Sequence, residues 1–271
     1  MSRVTSIEEL SNLKSKIETE RKFTKQVLIC GGTGCISSGS NEIADKMTEK
    51  VKAAGKENEI RVIKTGCFGF CEKGPIVKML PDNTFYTEVT PEDADRLVET
   101  HLLKEEKIEE LLYVDPVTKN KISDSDHMDF YKKQERVALR NCGVIDPENI
   151  EDYLLHDGYT ALDKVLKMSQ QEVVDIMKDS GLRGRGGGGF PTGLKWQFAL
   201  NNVSDQKYVV CNADEGDPGV FMDRSILEGD PHSVVEAMAI CGYSIGSNHG
   251  LVYIRAEYPL AVQRLIKAIE Q

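Results

Sequence analysis

Two groups of residues in this 271-residue chain could do chemistry. Cys30 and Cys35 have four residues between them, Cys67 and Cys71 have three, and each pair follows a short apolar run of strand character. Placed on adjacent loops at one end of a sheet, four thiolates can hold a dinuclear iron–sulfur cluster. Gly31, Gly32, Gly34, Gly66, Gly69 and Gly74 flank them, and such glycines let main-chain amides approach sulfur and raise a cluster's potential. A four-cysteine zinc site is the alternative, although its paired ligands usually sit about two to four residues apart. A disulfide framework suits an odd number of cysteines poorly. Cys142, Cys211 and Cys241 stand alone and read as small buried apolar groups.

The second group lies between Gly181 and Trp196, where Gly186–Gly189 are four consecutive glycines beside Arg183, Arg185 and Lys195. Without side chains, such a loop can wrap its amides around a phosphate or lie against a flat ring. Gly184-x-Gly186-x-x-Gly189 matches a dinucleotide fingerprint formally, but that fingerprint follows a strand, and here a helical pattern precedes it. A flexible linker would carry serines rather than Phe190, Pro191, Leu194 and Trp196. Further on, Cys211–Gly219 places Asn212, Asp214, Glu215 and Asp217 after a strand, acceptors suited to ribityl or ribose hydroxyls. A calcium loop is the other reading of those carboxylates, but the later bidentate Glu at fixed spacing is absent.

The elements that must position these residues follow from periodicity. Ile7, Leu10, Leu13 and Ile17 predict an amphipathic lead-in helix within 1–25. Val27–Cys30, Ile60–Lys64, Ile76–Leu80 and Thr84–Val89 read as strands, Asn41–Ala54 as a helix, and Thr90 as the cap of a helix reaching His101. This order predicts a small α/β domain with a mixed sheet over 26–104. The charge-dense segment 105–130 reads as a linker. Over 131–271, helices at Glu151–Leu155, Ala161–Met168 and Gln170–Asp179 precede the glycine loop; strands at Tyr208–Cys211 and Gly250–Arg255 alternate with helices at Ser233–Ile245 and Leu260–Ile269. The chain stops straight after that last helix, which suggests the front part of a longer domain. A formal charge of -10 argues against a nucleic-acid footprint. No apolar run is long enough to span a membrane and no signal sequence is visible, so the expected location is cytoplasmic.

Around Gln26–Leu103, the paired cysteines and the β-α-β order resemble the thioredoxin-like [2Fe-2S] ferredoxin domain, which implies a one-electron carrier. From Tyr131 onward the glycine loop, the acidic loop and Phe221–His232 resemble the FMN- and NADH-binding subunit of respiratory complex I and its soluble relatives. The resemblance is greatest to the diaphorase subunit of NAD(P)-linked, electron-bifurcating hydrogenases. It implies that Gly184, Gly186, Lys195, Asn212 and Asp214 serve FMN, that Phe190 and Phe198 flank NAD(P)H, and that Glu215 lies near the flavin; Arg185 is a cofactor-binding candidate through its charge beside the glycine loop. Asp217 stands where complex I subunits usually carry Glu, a shorter reach with the same charge. A [4Fe-4S] cluster is implied only for a longer form. The implied partners are a small [2Fe-2S] subunit and hydrogenase-like or formate dehydrogenase-like subunits of one redox complex. The other expectation is a non-catalytic electron-transfer or assembly module carrying the [2Fe-2S] cluster alone.

Overall fold

The computed structural model describes residues 6–271; the first five residues of the expected lead-in segment lie outside them. Helix α1 (Ile7–Glu20) is capped by the Ser6 hydroxyl, which accepts from the Glu9 amide, and it buries Ile17 with Leu10 and Leu13 half-buried.

Strands β1 (Lys25–Cys30), β2 (Ile60–Thr65), β3 (Val77–Leu80) and β4 (Thr84–Tyr86) form one sheet in the order β2-β1-β3-β4, with β1 parallel to β2 and antiparallel to β3. As a central strand, β1 is apolar on both faces. Val27 and Ile29 pack with Ile43, Met47 and Val51 of α3 (Ser40–Ala53) and with Leu97 and Val98 of a helical run that begins with a capping box at Thr90 and Asp93. That run passes through α4 (Ala94–Arg96) into a wider turn over Leu97–Leu102.

Leu28 and Cys30 face the other side, where Phe68, Phe85, Tyr113 and Met128 cover them. The covering residues revise the expected linker at 105–130. This segment forms the short antiparallel pair β5 (Tyr113–Val114) and β6 (Lys121–Ile122), and it bridges to the sheet edge at Thr84 and Tyr86. Its apolar residues have no helical or strand period because they belong to irregular backbone, yet a two-sided central strand cannot stay open to water.

After α5 (Asp129–Lys132), α6 (Ile150–Leu155), α7 (Thr160–Leu166) and α8 (Gln170–Asp179) precede the glycine loop; α8 starts in a capping box of Ser169 and Glu172. The loop is shorter than expected, because α9 (Thr192–Asn201) begins inside it. Strands β7 (Tyr208–Ala213) and β8 (His249–Ile254) pair in parallel, and α11 (Pro231–Ile245) and α12 (Pro259–Glu270) pack beside them. Helix α10 (Met222–Gly229), absent from the sequence reading, connects the acidic loop to α11.

The two halves meet along a polar and close-packed seam. Asp152 of α6 takes hydrogen bonds from Arg21 and, at 2.8 Å, from Arg61 of β2. Arg264 of α12, only 3% exposed, donates to the Glu228 carbonyl and faces Glu148 at 3.5 Å. Among the described residues, no helix is long and apolar enough to cross a membrane.

Candidate functional site

The parallel register Cys30↔Thr65 brings the ends of β1 and β2 level, so the loops that follow them leave the sheet side by side. Cys30 closes β1, Cys35 lies in α2 (Thr33–Ser37), Cys67 follows β2, and Cys71 opens a single helical turn. Cys30 and Cys35 are buried, Cys67 is half-buried and Cys71 exposed. Cys67 and Cys71 sulfurs are 3.9 Å apart, and Cys30 shares hydrogen bonds with both Cys35 and Cys67.

Every thiol meets a main-chain amide: Phe68 for Cys30, Ile76 for Cys35, Gly69 at 3.3 Å for Cys67, and its own amide for Cys71. As free thiols they do not ionise together: the hydrogen bond with Cys30 holds Cys35 below the usual thiol range, against its burial. The hydrogen bond to Cys35, followed by burial, pushes Cys30 up to about 12, and Cys67 is raised first by its bond to Cys30. Holding all four as thiolates takes a bound cation. A β-carbon on Gly74 would lie 2.6 Å from the Cys35 sulfur, so only glycine fits that approach. The donor set, its amides and the close backbone fit a dinuclear iron–sulfur cluster. Among the described residues, no three His, Cys, Asp or Glu side chains gather as ligands of a single ion.

The glycine loop is pinched at its base. Gly184 N–H donates to the Phe190 carbonyl at 2.9 Å, Thr192 N–H to that of Leu182 at 2.9 Å, and the Arg183 guanidinium to that of Gly189 at 3.3 Å. Gly187 and Gly189 have φ of 93° and 59°, the left-handed region, and β-carbons on Gly186–Gly189 would meet nothing within 4 Å. The tip is therefore bare backbone in the open, beside the N-terminus of α9, an arrangement suited to an anion. Arg185 and Lys195 are exposed there, and the Lys195 charge partly offsets the burial that pushes Cys241 of α11 up to about 11. Phe190 and Phe198, both largely exposed, stand with ring centroids 6.5 Å apart.

The acidic loop leaves the carboxyl end of β7, the edge at which open parallel sheets bind ligands. Asn212 accepts from the Asp214 amide at 3.1 Å, and Asp214 and Asp217 are exposed. Glu215 is placed differently: it is 7% exposed and turned inward, where its carboxylate accepts from the amides of Met222, Asp223 and Arg224 and from the Tyr258 hydroxyl. It caps α10 rather than facing the open side. Among the described residues, no hydrogen bond or ion pair joins the glycine loop to the acidic loop.

Residues 3–102 match the thioredoxin-like [2Fe-2S] ferredoxin family, and residues 177–271 match the Nuo51 FMN-binding domain. The chain joins these two domains. The NADP-reducing hydrogenase subunit HndC of Solidesulfovibrio fructosivorans is 70% identical over 139 residues, 51% of this chain and 28% of that protein. An NADH-quinone oxidoreductase subunit of Rhizobium meliloti is 47% identical over 51% of this chain and 33% of its own length. The matches thus span about a third or less of these relatives. A thioredoxin-like [2Fe-2S] ferredoxin from Aquifex aeolicus is 33% identical over 33% of this chain and 95% of that chain, with a TM-score of 0.31.

In the FMN-binding domain, Arg255 belongs to the site region although it lies outside the glycine and acidic loops. It follows β8, donates to the Glu215 carbonyl at 2.6 Å, pairs with Glu257 at 3.2 Å and feels the Asp214 charge. A basic residue at the carboxyl end of a parallel strand was the available signal.

Proposed function

We propose that this chain is the electron-input portion of an NAD(P)H-linked oxidoreductase, in which nicotinamide nucleotide and FMN exchange a hydride in the FMN-binding domain and the ferredoxin domain carries single electrons onward. The supporting observation is a contact between the domains. Gly66, which precedes Cys67, abuts Gly229 at the end of α10, and the start of α10 is held by Glu215 of the acidic loop. An eight-residue helix is about 12 Å long, so the two candidate sites are linked by one short rigid element.

When bound, FMN supplies the ability to accept an electron pair and release electrons singly. The chain's own residues would orient and neutralise. Amides of Gly184 and Gly186, with Arg185 and Lys195, would hold phosphate; Asn212 and Asp214 would accept from hydroxyls. Asp217 would take a nucleotide ribose hydroxyl, and Phe190 and Phe198 would supply apolar faces for the nicotinamide. Cys30, Cys35, Cys67 and Cys71 would hold the cluster. Partner subunits of a soluble redox complex, hydrogenase-like or formate dehydrogenase-like, would take the electrons.

The test is NADH- and NADPH-dependent dye reduction by the chain loaded with iron, sulfide and FMN. Turnover with bound flavin supports the proposal. Cluster absorption without flavin binding or turnover would replace it with an electron-transfer module.

A further inference from the structure

Arg136 lies between the two matched domains, in a segment that neither family covers. Its guanidinium donates to the main-chain carbonyl of Phe68, the residue after Cys67, and at 3.3 Å to that of Cys142. One of its nitrogens is 3.1 Å from where a β-carbon on Gly69 would sit, and the Gly69 amide donates to the Cys67 sulfur. The guanidinium also lies over the Tyr131 ring at 5.1 Å, while the Tyr131 hydroxyl donates to the same Phe68 carbonyl at 3.1 Å. Its Nε is buried without a hydrogen-bond partner. Among the described residues Arg136 forms no ion pair, whereas Arg264, whose guanidinium lies beside Gly31, faces Glu148.

A cluster held by four thiolates is anionic when oxidised and becomes more so on accepting an electron. A fixed positive charge nearby therefore favours the reduced form, most strongly where no carboxylate offsets it and water is excluded. We propose that Arg136 is a potential-setting residue for the ferredoxin-domain cluster, raising its reduction potential through the charge placed against the Cys67–Cys71 loop. This rests on the reading of Cys30, Cys35, Cys67 and Cys71 as cluster ligands.

The experiment is a dithionite titration of the full chain loaded with iron and sulfide, followed by absorption and by EPR of the reduced cluster, for the wild type, Arg136→Gln, Arg136→Met and Arg136→Lys. The two neutral variants are expected to disfavour reduction about tenfold, equivalent to about 59 mV for one electron. Arg136→Lys retains the charge and is expected to restore most of that difference. Neutral variants with intact cluster absorption and an unchanged potential would overturn the proposal. So would a lysine variant shifted as far as the neutral ones, since loop clamping would then be the whole role. Wild-type protein without [2Fe-2S] absorption would overturn the cluster reading itself.

Discussion

Gly229 and Cys142 are packed so closely that a β-carbon on the glycine would lie 2.4 Å from the cysteine sulfur. The same β-carbon would come within 3.3 Å of the Gly66 Cα, so one small residue from each part of the chain meets at the root of the Cys67 loop. Gly229→Ala is expected to cost about 1–3 kcal/mol by overpacking. In combination with Cys142→Ala the loss should be much less than the sum of the single effects, because the clash and its partner disappear together. Urea unfolding of the four species measures this, and additive losses would show that the seam has room to relax.

Asp152 carries a pH prediction of one sign. Burial works against its charge, but hydrogen bonds and the charge of Arg61, with Arg21, hold its carboxyl below the usual range. A depressed folded value contributes stability that is present above the unfolded value of about 3.9 and lost as pH falls through the folded one. Asp152→Asn should lower stability near neutrality by about 3 kcal/mol, because Arg21 and Arg61 lose the buried carboxylate they share and keep only Glu151 and Asp146, and should flatten the acid limb. Chemical unfolding between pH 3 and 7 provides the check.

Asp230 carries the opposite sign. It is fully buried, one carboxyl oxygen has no partner, and burial raises its pKa despite the 2.7 Å hydrogen bond from Asn141. The folded state then binds its proton more tightly, so the stability present below about pH 3.9 declines as pH rises toward the folded value. Asp230→Asn should abolish that decline. A variant whose pH profile parallels the wild type would show that other groups set it.

Glu215→Gln should destabilise the FMN-binding domain by about 1–2 kcal/mol, because it removes the charge from a carboxylate that accepts at the α10 N-terminus. Thermal unfolding reads this directly. Unchanged stability would leave Glu215 free to meet a ligand.

Lys195→Ala should weaken FMN binding about tenfold, the loss of one charge-assisted contact to phosphate. Quenching of flavin fluorescence on titration measures the affinity. Equal affinities would place the phosphate away from α9.

Cysteine spacing, the glycine and acidic loops, and the apolar periods of β1, α3, α8 and α11 are local properties, and they suffice to specify both domain types and most of their elements. Such features depend on neighbours within a few residues, through backbone sterics and side-chain alternation. The remaining features depend on distant partners. Residues 105–130 are packed rather than linking because Leu28 and Cys30, far back in the chain, need a cover. Glu215 caps a helix because Met222 and Tyr258 fold around it, although its sequence context matched that of its exposed neighbours. The approach of Arg136 to the Cys67 loop, and of Gly229 to Gly66, joins residues with more than sixty positions between them. No local pattern encodes such a pairing, because burial and charge compensation are settled only when separate segments exclude water from the same space.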